Sequence, residues 1–223
     1  TLYFEKVDKA GHDYGPDSAE VAAALGDIDA ALGRLVDGLE QSGLRASTNL
    51  VIVSDHGMIA TSPERLVFVE DFLDLDRVRP VNLGITAGFE PQRGQSRYVD
   101  ATLLAPRPHF SCWRKNAIPA RFKYGSNARV PPIVCLADPG WILTTREYMA
   151  KRHDGVPGGE HGYDNALPQM AALFVATGPA FRHGAVVPAF DNVDVYPLLA
   201  HLLGIRPAAN DGNPATMRAM LAR

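Results

Sequence analysis

Three short segments of this 223-residue chain set an imidazole beside a carboxylate: Asp8 with His12, Asp55 with His56, and Glu160 with His161. Each has a glycine close by: Gly11, Gly57 and Gly162. Imidazole nitrogen and carboxylate oxygen together suit Zn²⁺ or another first-row ion, whereas Ca²⁺ prefers oxygen alone. One Asp-His pair is more often a hydrogen-bonded pair than a ligand set. Three such pairs at expected strand ends are harder to assign to chance. Asp8, His12 and His161 make a three-ligand site that keeps one position open, the usual catalytic arrangement. Asp55 and His56 begin a second site but supply too few ligands to finish it. Two ions about 3.5–4 Å apart clamp the attacking and leaving oxygens of a phosphoryl displacement. On that reading a further ligand comes from outside this chain.

Composition narrows the chemistry. The chain is 46% hydrophobic and 21% charged, so it can bury a core. A net charge of −3 gives no general nucleic-acid footprint, although bound cations can still neutralise a small anionic substrate. No apolar run reaches the roughly 18 residues of a membrane span. Thr1 falls inside what reads as a core strand, so the expectation is the C-terminal part of a longer catalytic domain. Cys112 and Cys135 are the two cysteines, and the sequence leaves their pairing open.

The elements that must position these residues follow from periodicity and turn chemistry. Leu2–Val7 reads as a strand, and Gly11, Gly15 and Pro16 argue for a loop rather than a helix around Asp8 and His12. Asp17 with Glu20 resembles a capping box. Val21, Leu25, Ile28, Leu32, Leu35 and Leu39 then mark one face of a long helix stopped at Gly43. Residues 49–54 form a β-branched run, typical of a strand buried on both faces and ending at Asp55-His56. Strand, helix, strand predicts a βαβ unit and a parallel sheet.

From about 65 to 152, prolines and glycines interrupt short strand-like pieces at 67–69, 84–89, 98–104, 133–136 and 141–144. This predicts a smaller inserted or peripheral α+β region. Residues 171–175 read as a buried strand, and 191–203 as a helix with Pro197 early and Gly204 after its end. His109, His153, His183 and His201 have no partner motif. Asp164 and Asn165 are candidates either to orient the His161 loop through its backbone or to hydrogen-bond the second nitrogen of a metal ligand.

Tyr3-Phe4-Glu5-x-x-Asp8-x-x-Gly11-His12-x-Tyr14-Gly15-Pro16, Ser54-Asp55-His56-Gly57-Met58 and Gly159-Glu160-His161-Gly162-Tyr163-Asp164-Asn165 resemble the nucleotide pyrophosphatase/phosphodiesterase family, in the alkaline phosphatase superfamily. Further matches at Asn116–Pro119, Arg129–Pro132, Ala137–Trp141 and Asn192–Pro197 extend the likeness along the whole chain.

The resemblance implies an α/β, alkaline phosphatase-like fold: a largely parallel central sheet flanked by helices, with a smaller α+β insertion. Residues 1–223 would be the C-terminal part of one catalytic domain. It implies two Zn²⁺, one on Asp8, His12 and His161 and the other on Asp55 and His56. Tyr3 matches the family tyrosine that stacks on the nucleobase. The family nucleophile is a threonine upstream of this stretch; Thr48, Ser54 and Thr61 lie outside its context. The implied reaction is hydrolysis of nucleotide phosphodiester or pyrophosphate bonds through a covalent threonine intermediate, releasing a nucleoside 5′-monophosphate. The implied setting is periplasmic or secreted, with a small-molecule substrate and the upstream segment as partners. The alternatives are another superfamily hydrolase (a phosphomonoesterase, phosphonate or lipid phosphodiesterase) and a non-catalytic metal-binding fragment.

Overall fold

A computed structural model describes residues 1–222. In chain order the elements are helices α1 (Lys6–Tyr14) and α2 (Ala19–Gln41), strands β1 (Leu50–Val53), β2 (Ile59–Ala60), β3 (Leu66–Phe68), β4 (Val78–Asn82) and β5 (Thr86–Pro91), helix α3 (Ser96–Leu103), strands β6 (Phe110–Arg114), β7 (Ile133–Ala137) and β8 (Ile142–Thr144), helix α4 (Arg146–Lys151), strands β9 (Gly159–Glu160) and β10 (Phe174–Thr177), and helix α5 (Val195–Leu202). Two compact units result, one from residues 1–26 and 57–171, the other from 27–56 and 172–223, and the division falls within α2. Among the described residues no helix is long and apolar enough to cross a membrane.

The larger unit is built on an antiparallel sheet in the order β4-β5-β7-β6. Its core gathers Phe89, Val99, Leu103, Ile133, Cys135 and Leu143, all at most 1% exposed. Burying a side chain such as Phe89 contributes about 1.5–3 kcal/mol. Cys112 and Cys135 face each other across β6 and β7 and form a disulfide, which settles the pairing that the sequence leaves open. Strand β3 pairs parallel with β8, and β2 pairs antiparallel with β9. The smaller unit pairs β1 antiparallel with β10 over a core of Phe181, Leu198 and Met220.

The mixture of helices and strands is the α/β class expected. The long helix, the strands near residues 86, 133 and 142, and the C-terminal helix with early Pro197 all form. Several details differ. The first segment holds no strand: residues 1–5 lack regular structure, and Lys6–Tyr14 is helical. Gly11 is tolerated within that helix, and Gly15 closes it at φ 93° while its N–H donates to the Gly11 carbonyl (2.9 Å). Pro16 lies past the cap, where it obstructs nothing.

The expected βαβ unit is therefore not completed. Among the described residues β3–β8 is the parallel ladder, and β1 has one neighbour, leaving Val53 47% exposed. The cap of α2 also sits one residue later than expected, because the Val21 N–H donates to Ser18 Oγ (3.2 Å). Residues 98–103 belong to helix α3, with Leu104 as its C-cap, and not to a strand. Val99 and Leu103 lie one helical turn apart there, and both are buried.

Candidate metal centre

The site begins with α1. Asp8 and His12 are four residues apart on a helix, so they share a face. His12 Nε2 lies 3.6 Å from Asp8 Oδ2. His161 follows the two-residue strand β9, and its Nε2 lies 3.8 Å from Asp8 Oδ1. The two imidazole centroids are 5.1 Å apart at 52°. One ligand atom from each of the three side chains falls within 4.8 Å of the others.

Glycines make this convergence possible. The Gly158 N–H donates to the His12 carbonyl (2.7 Å), so the last turn of α1 lies directly on β9. A Cβ on Gly158 would sit 2.5 Å from the Gly15 nitrogen, and one on Gly159 would sit 2.7 Å from the Gly11 oxygen. A Cβ on Gly11 would meet Met58 Sδ at 2.4 Å. Ordinary side chains here would push α1 and β9 apart and separate the two histidines. On the far side, β2 fixes β9 by pairing Ile59 with Glu160 and Ala60 with Gly159. Thr61 adds two bonds: its N–H to Gly158 O (3.1 Å) and its hydroxyl to Pro157 O.

The donor set fits a metal on three counts. His12 Nδ1 lies 2.8 Å from the Gly159 carbonyl, which makes Nδ1 the protonated nitrogen and leaves the Nε2 lone pair toward Asp8. Asp8 Oδ1 is buried and has no hydrogen-bond partner. Leaving such an oxygen unsatisfied costs roughly 1–3 kcal/mol, more when it is charged. Two ligands each about 2.0–2.1 Å from a tetrahedral zinc stand about 3.4 Å apart, near the 3.6 and 3.8 Å that separate each imidazole from its nearer, different Asp8 oxygen.

The surroundings are also held in place. Glu160 Oε2 lies 3.7 Å from His12 Nδ1, and burial pushes its carboxyl above the ordinary value, with the His12 imidazole opposing. After His161 the chain turns at Gly162 (φ 90°). Tyr163 then enters the core, its hydroxyl donating to Trp141 O (3.2 Å). Asp164 takes both arms of the Arg121 guanidinium and accepts the Ala166 N–H (3.0 Å). The Arg121 pairing holds the Asp164 carboxyl below its ordinary value.

The other expected site residues are placed as follows. Asp55 and His56 lie in the smaller unit, with His56 Nε2 3.5 Å from Asp55 Oδ1. The Asn192 side-chain amide donates to the Asp55 carbonyl (3.1 Å). Tyr3 is 80% exposed in the irregular residues before α1. The Thr48 hydroxyl donates to Leu44 O (2.8 Å), and Ser54 Oγ accepts the Leu173 N–H (2.7 Å), so both serve the backbone. His109, which has no partner motif, stacks on Trp141 with ring centroids 3.5 Å apart.

The sequence gives no sign of the second feature near the site. A pocket of about 340 Å³ opens beside His161 and Glu160. Leu83, Ile85 and Ile142 give it apolar walls, and Tyr148 and Arg152 of the α4 region stand at it.

The family model for type I phosphodiesterase/nucleotide pyrophosphatase matches residues 1–164. The chain belongs to this family. Human ectonucleotide pyrophosphatase/phosphodiesterase family member 5 is 37% identical over 212 residues, which is 95% of this chain and 43% of that protein. Bovine bis(5′-adenosyl)-triphosphatase ENPP4 is 37% identical over 213 residues, 95% of this chain and 46% of that protein. The chain thus spans less than half the length of these curated relatives. The solved murine family member 5 matches with a TM-score of 0.91 at 35% identity, covering 99% of this chain and 58% of the other. That likeness makes the fold alkaline phosphatase-like. An inactive threonine-to-alanine variant of the murine protein has been solved in complex with AMP.

Proposed function

We propose that this chain is the C-terminal part of the catalytic domain of a zinc-dependent nucleotide pyrophosphatase/phosphodiesterase. The observation that carries this is the convergence of Asp8, His12 and His161 around a buried, unpartnered carboxylate oxygen. Asp8, His12 and His161 would hold one Zn²⁺, and Asp55 and His56 would contribute to a second. Bound there, the ions supply positive charge for the phosphoryl oxygens and lower the pKa of the attacking hydroxyl.

The chain's own residues perform narrower tasks. Gly159 O holds the proton of His12 on Nδ1, so Nε2 stays a lone-pair donor. The Arg121–Asp164 pair and Tyr163 fix the backbone that presents His161. Tyr3, exposed just before α1, is assigned to the base of the retained nucleotide. The nucleophile is assigned to a threonine upstream of this stretch, since Thr48 and Thr61 are both engaged with backbone carbonyls. The inactive threonine-to-alanine variant of the murine relative supports that assignment, and its AMP supports a nucleoside monophosphate as product. The disulfide and the "ecto" names of the relatives support a periplasmic or secreted setting.

The test is zinc content together with turnover of a nucleotide diester by the full-length protein. Bound zinc and release of a nucleoside 5′-monophosphate are expected, and both should be lost in His12→Ala. A full-length protein that binds no metal overturns the reading. Release of a nucleoside and inorganic phosphate, rather than the monophosphate, would point instead to a phosphomonoesterase.

A further inference from the structure

We propose that the pocket beside His161 receives the leaving group of a dinucleotide-type substrate: Tyr148 stacks on the departing nucleobase and Arg152 meets the departing phosphates. The inference rests on the function proposed above and adds a subsite to it.

Position comes first. The pocket is lined by His161, one of the three candidate ligands, and by its neighbour Glu160, so it opens directly beside the metal centre. Its size, about 340 Å³, is at the lower end of small-molecule sites. Apolar walls beside a few polar groups, Arg152, Glu160 and His161, suit a flat ring joined to a charged tail. A bare pyrophosphate would leave those walls unused.

Tyr148 supplies the stacking face. It is 51% exposed although it lines a pocket with apolar walls. Every nucleobase presents a π-face to such a ring.

Arg152 supplies the charge. It lines the pocket, and among the described residues it closes no salt bridge. Arg146, six residues earlier, is by contrast held by Asp71 (2.6 Å) and Glu70 (3.6 Å). Those bonds, and the Thr145 hydroxyl that caps Tyr148 N (3.1 Å), seat α4 firmly. The platform is therefore preset rather than formed on binding. The relative named bis(5′-adenosyl)-triphosphatase acts on a substrate of this form, with a nucleoside at each end.

The experiment compares diadenosine triphosphate with ATP in the full-length protein. Both give AMP, but one releases ADP and the other pyrophosphate. Tyr148→Ala should lower the ratio of kcat/KM for diadenosine triphosphate over ATP by about tenfold or more, the effect of one lost stacking contact, and Tyr148→Phe should restore it. Arg152→Gln should lower kcat/KM for both substrates, since both leaving groups carry phosphate. A ratio that stays within about twofold in Tyr148→Ala overturns the subsite while leaving the proposed function in place. Unchanged kinetics in Arg152→Gln overturn the phosphate contact. A wild-type protein that cleaves neither substrate overturns both the function and the subsite.

Discussion

The Nδ1 atom of His12 lies 2.8 Å from the carbonyl oxygen of Gly159, which is 147 residues further along the chain. This bond joins the two halves of the site. It sets the tautomer of one proposed ligand, and its acceptor lies two residues before another proposed ligand, His161.

The crossing of α1 and β9 makes a sharp prediction. Gly158→Ala places a methyl 2.5 Å from the Gly15 nitrogen, where only backbone can yield. Metal affinity should fall at least about tenfold, the scale seen when a ligand's supporting contacts are lost. Titration against a competing chelator measures it, with circular dichroism as the check on folding. Wild-type affinity in a folded Gly158→Ala protein would contradict the role given to this contact.

Gly11→Ala offers a contrast. Its methyl meets the flexible end of Met58, at 2.4 Å from the sulfur. The expected metal-affinity loss is smaller than for Gly158→Ala, and Met58→Ala in the same protein should recover most of it. A double variant as impaired as Gly158→Ala would show that Met58 is not what limits the approach.

The candidate ligands are more legible than the structure that carries them. Asp8, His12 and His161 stand out because residue type alone points to metal chemistry, and the fold brings the three together. The helix beneath the first two was hidden by Gly11, Gly15 and Pro16, which read as breakers. Gly11 is there for the close approach of β9 and Met58, a tertiary demand that local propensity does not express. Val99 and Leu103 misled in another way, since a short apolar run fits a strand or a buried helix equally well. Strands β4 and β6 are hidden because Pro80, and Pro106, Pro108 and Pro119 around Trp113, look like loop. The pocket at Tyr148 and Arg152 had no signal at all. Its walls come from three separated stretches, and nothing in any one of them marks a cavity.

The disulfide should contribute stability without touching the site. Cys112 and Cys135 are 23 residues apart, a loop whose closure stabilises by about 3 kcal/mol. Paired Cys112→Ser and Cys135→Ser substitutions should lower the midpoint of thermal unfolding and leave metal content at the wild-type level. Loss of metal at temperatures where the variant is still folded would show a coupling that the packing does not suggest.

Core truncation sets the stability scale. Phe89 on the central strand β5 is fully buried, so Phe89→Ala should cost about 3–5 kcal/mol, readable by urea unfolding.

Acid should release the His161 loop in a predictable sense. Arg121 holds the folded-state value of Asp164 below its ordinary 3.8. A depressed carboxyl stabilises the fold above its unfolded-state pKa, and the contribution is lost as pH falls through the folded-state value. The stability gap between wild type and Asp164→Asn should be present at pH 7 and shrink as pH drops below the ordinary carboxylate range. A gap that persists in strong acid would assign the effect to packing instead.

The glycine crossing between α1 and β9 also bears on redesign. The distance between the two imidazoles is gauged mainly by main-chain atoms, with Met58 as the side chain that lies against the crossing. Exchanging a donor, such as Asp8 for histidine, changes the chemistry of the cage while leaving its frame intact. Selectivity for a different ion should therefore be sought in the identity of the donors, on a scaffold that need not be rebuilt.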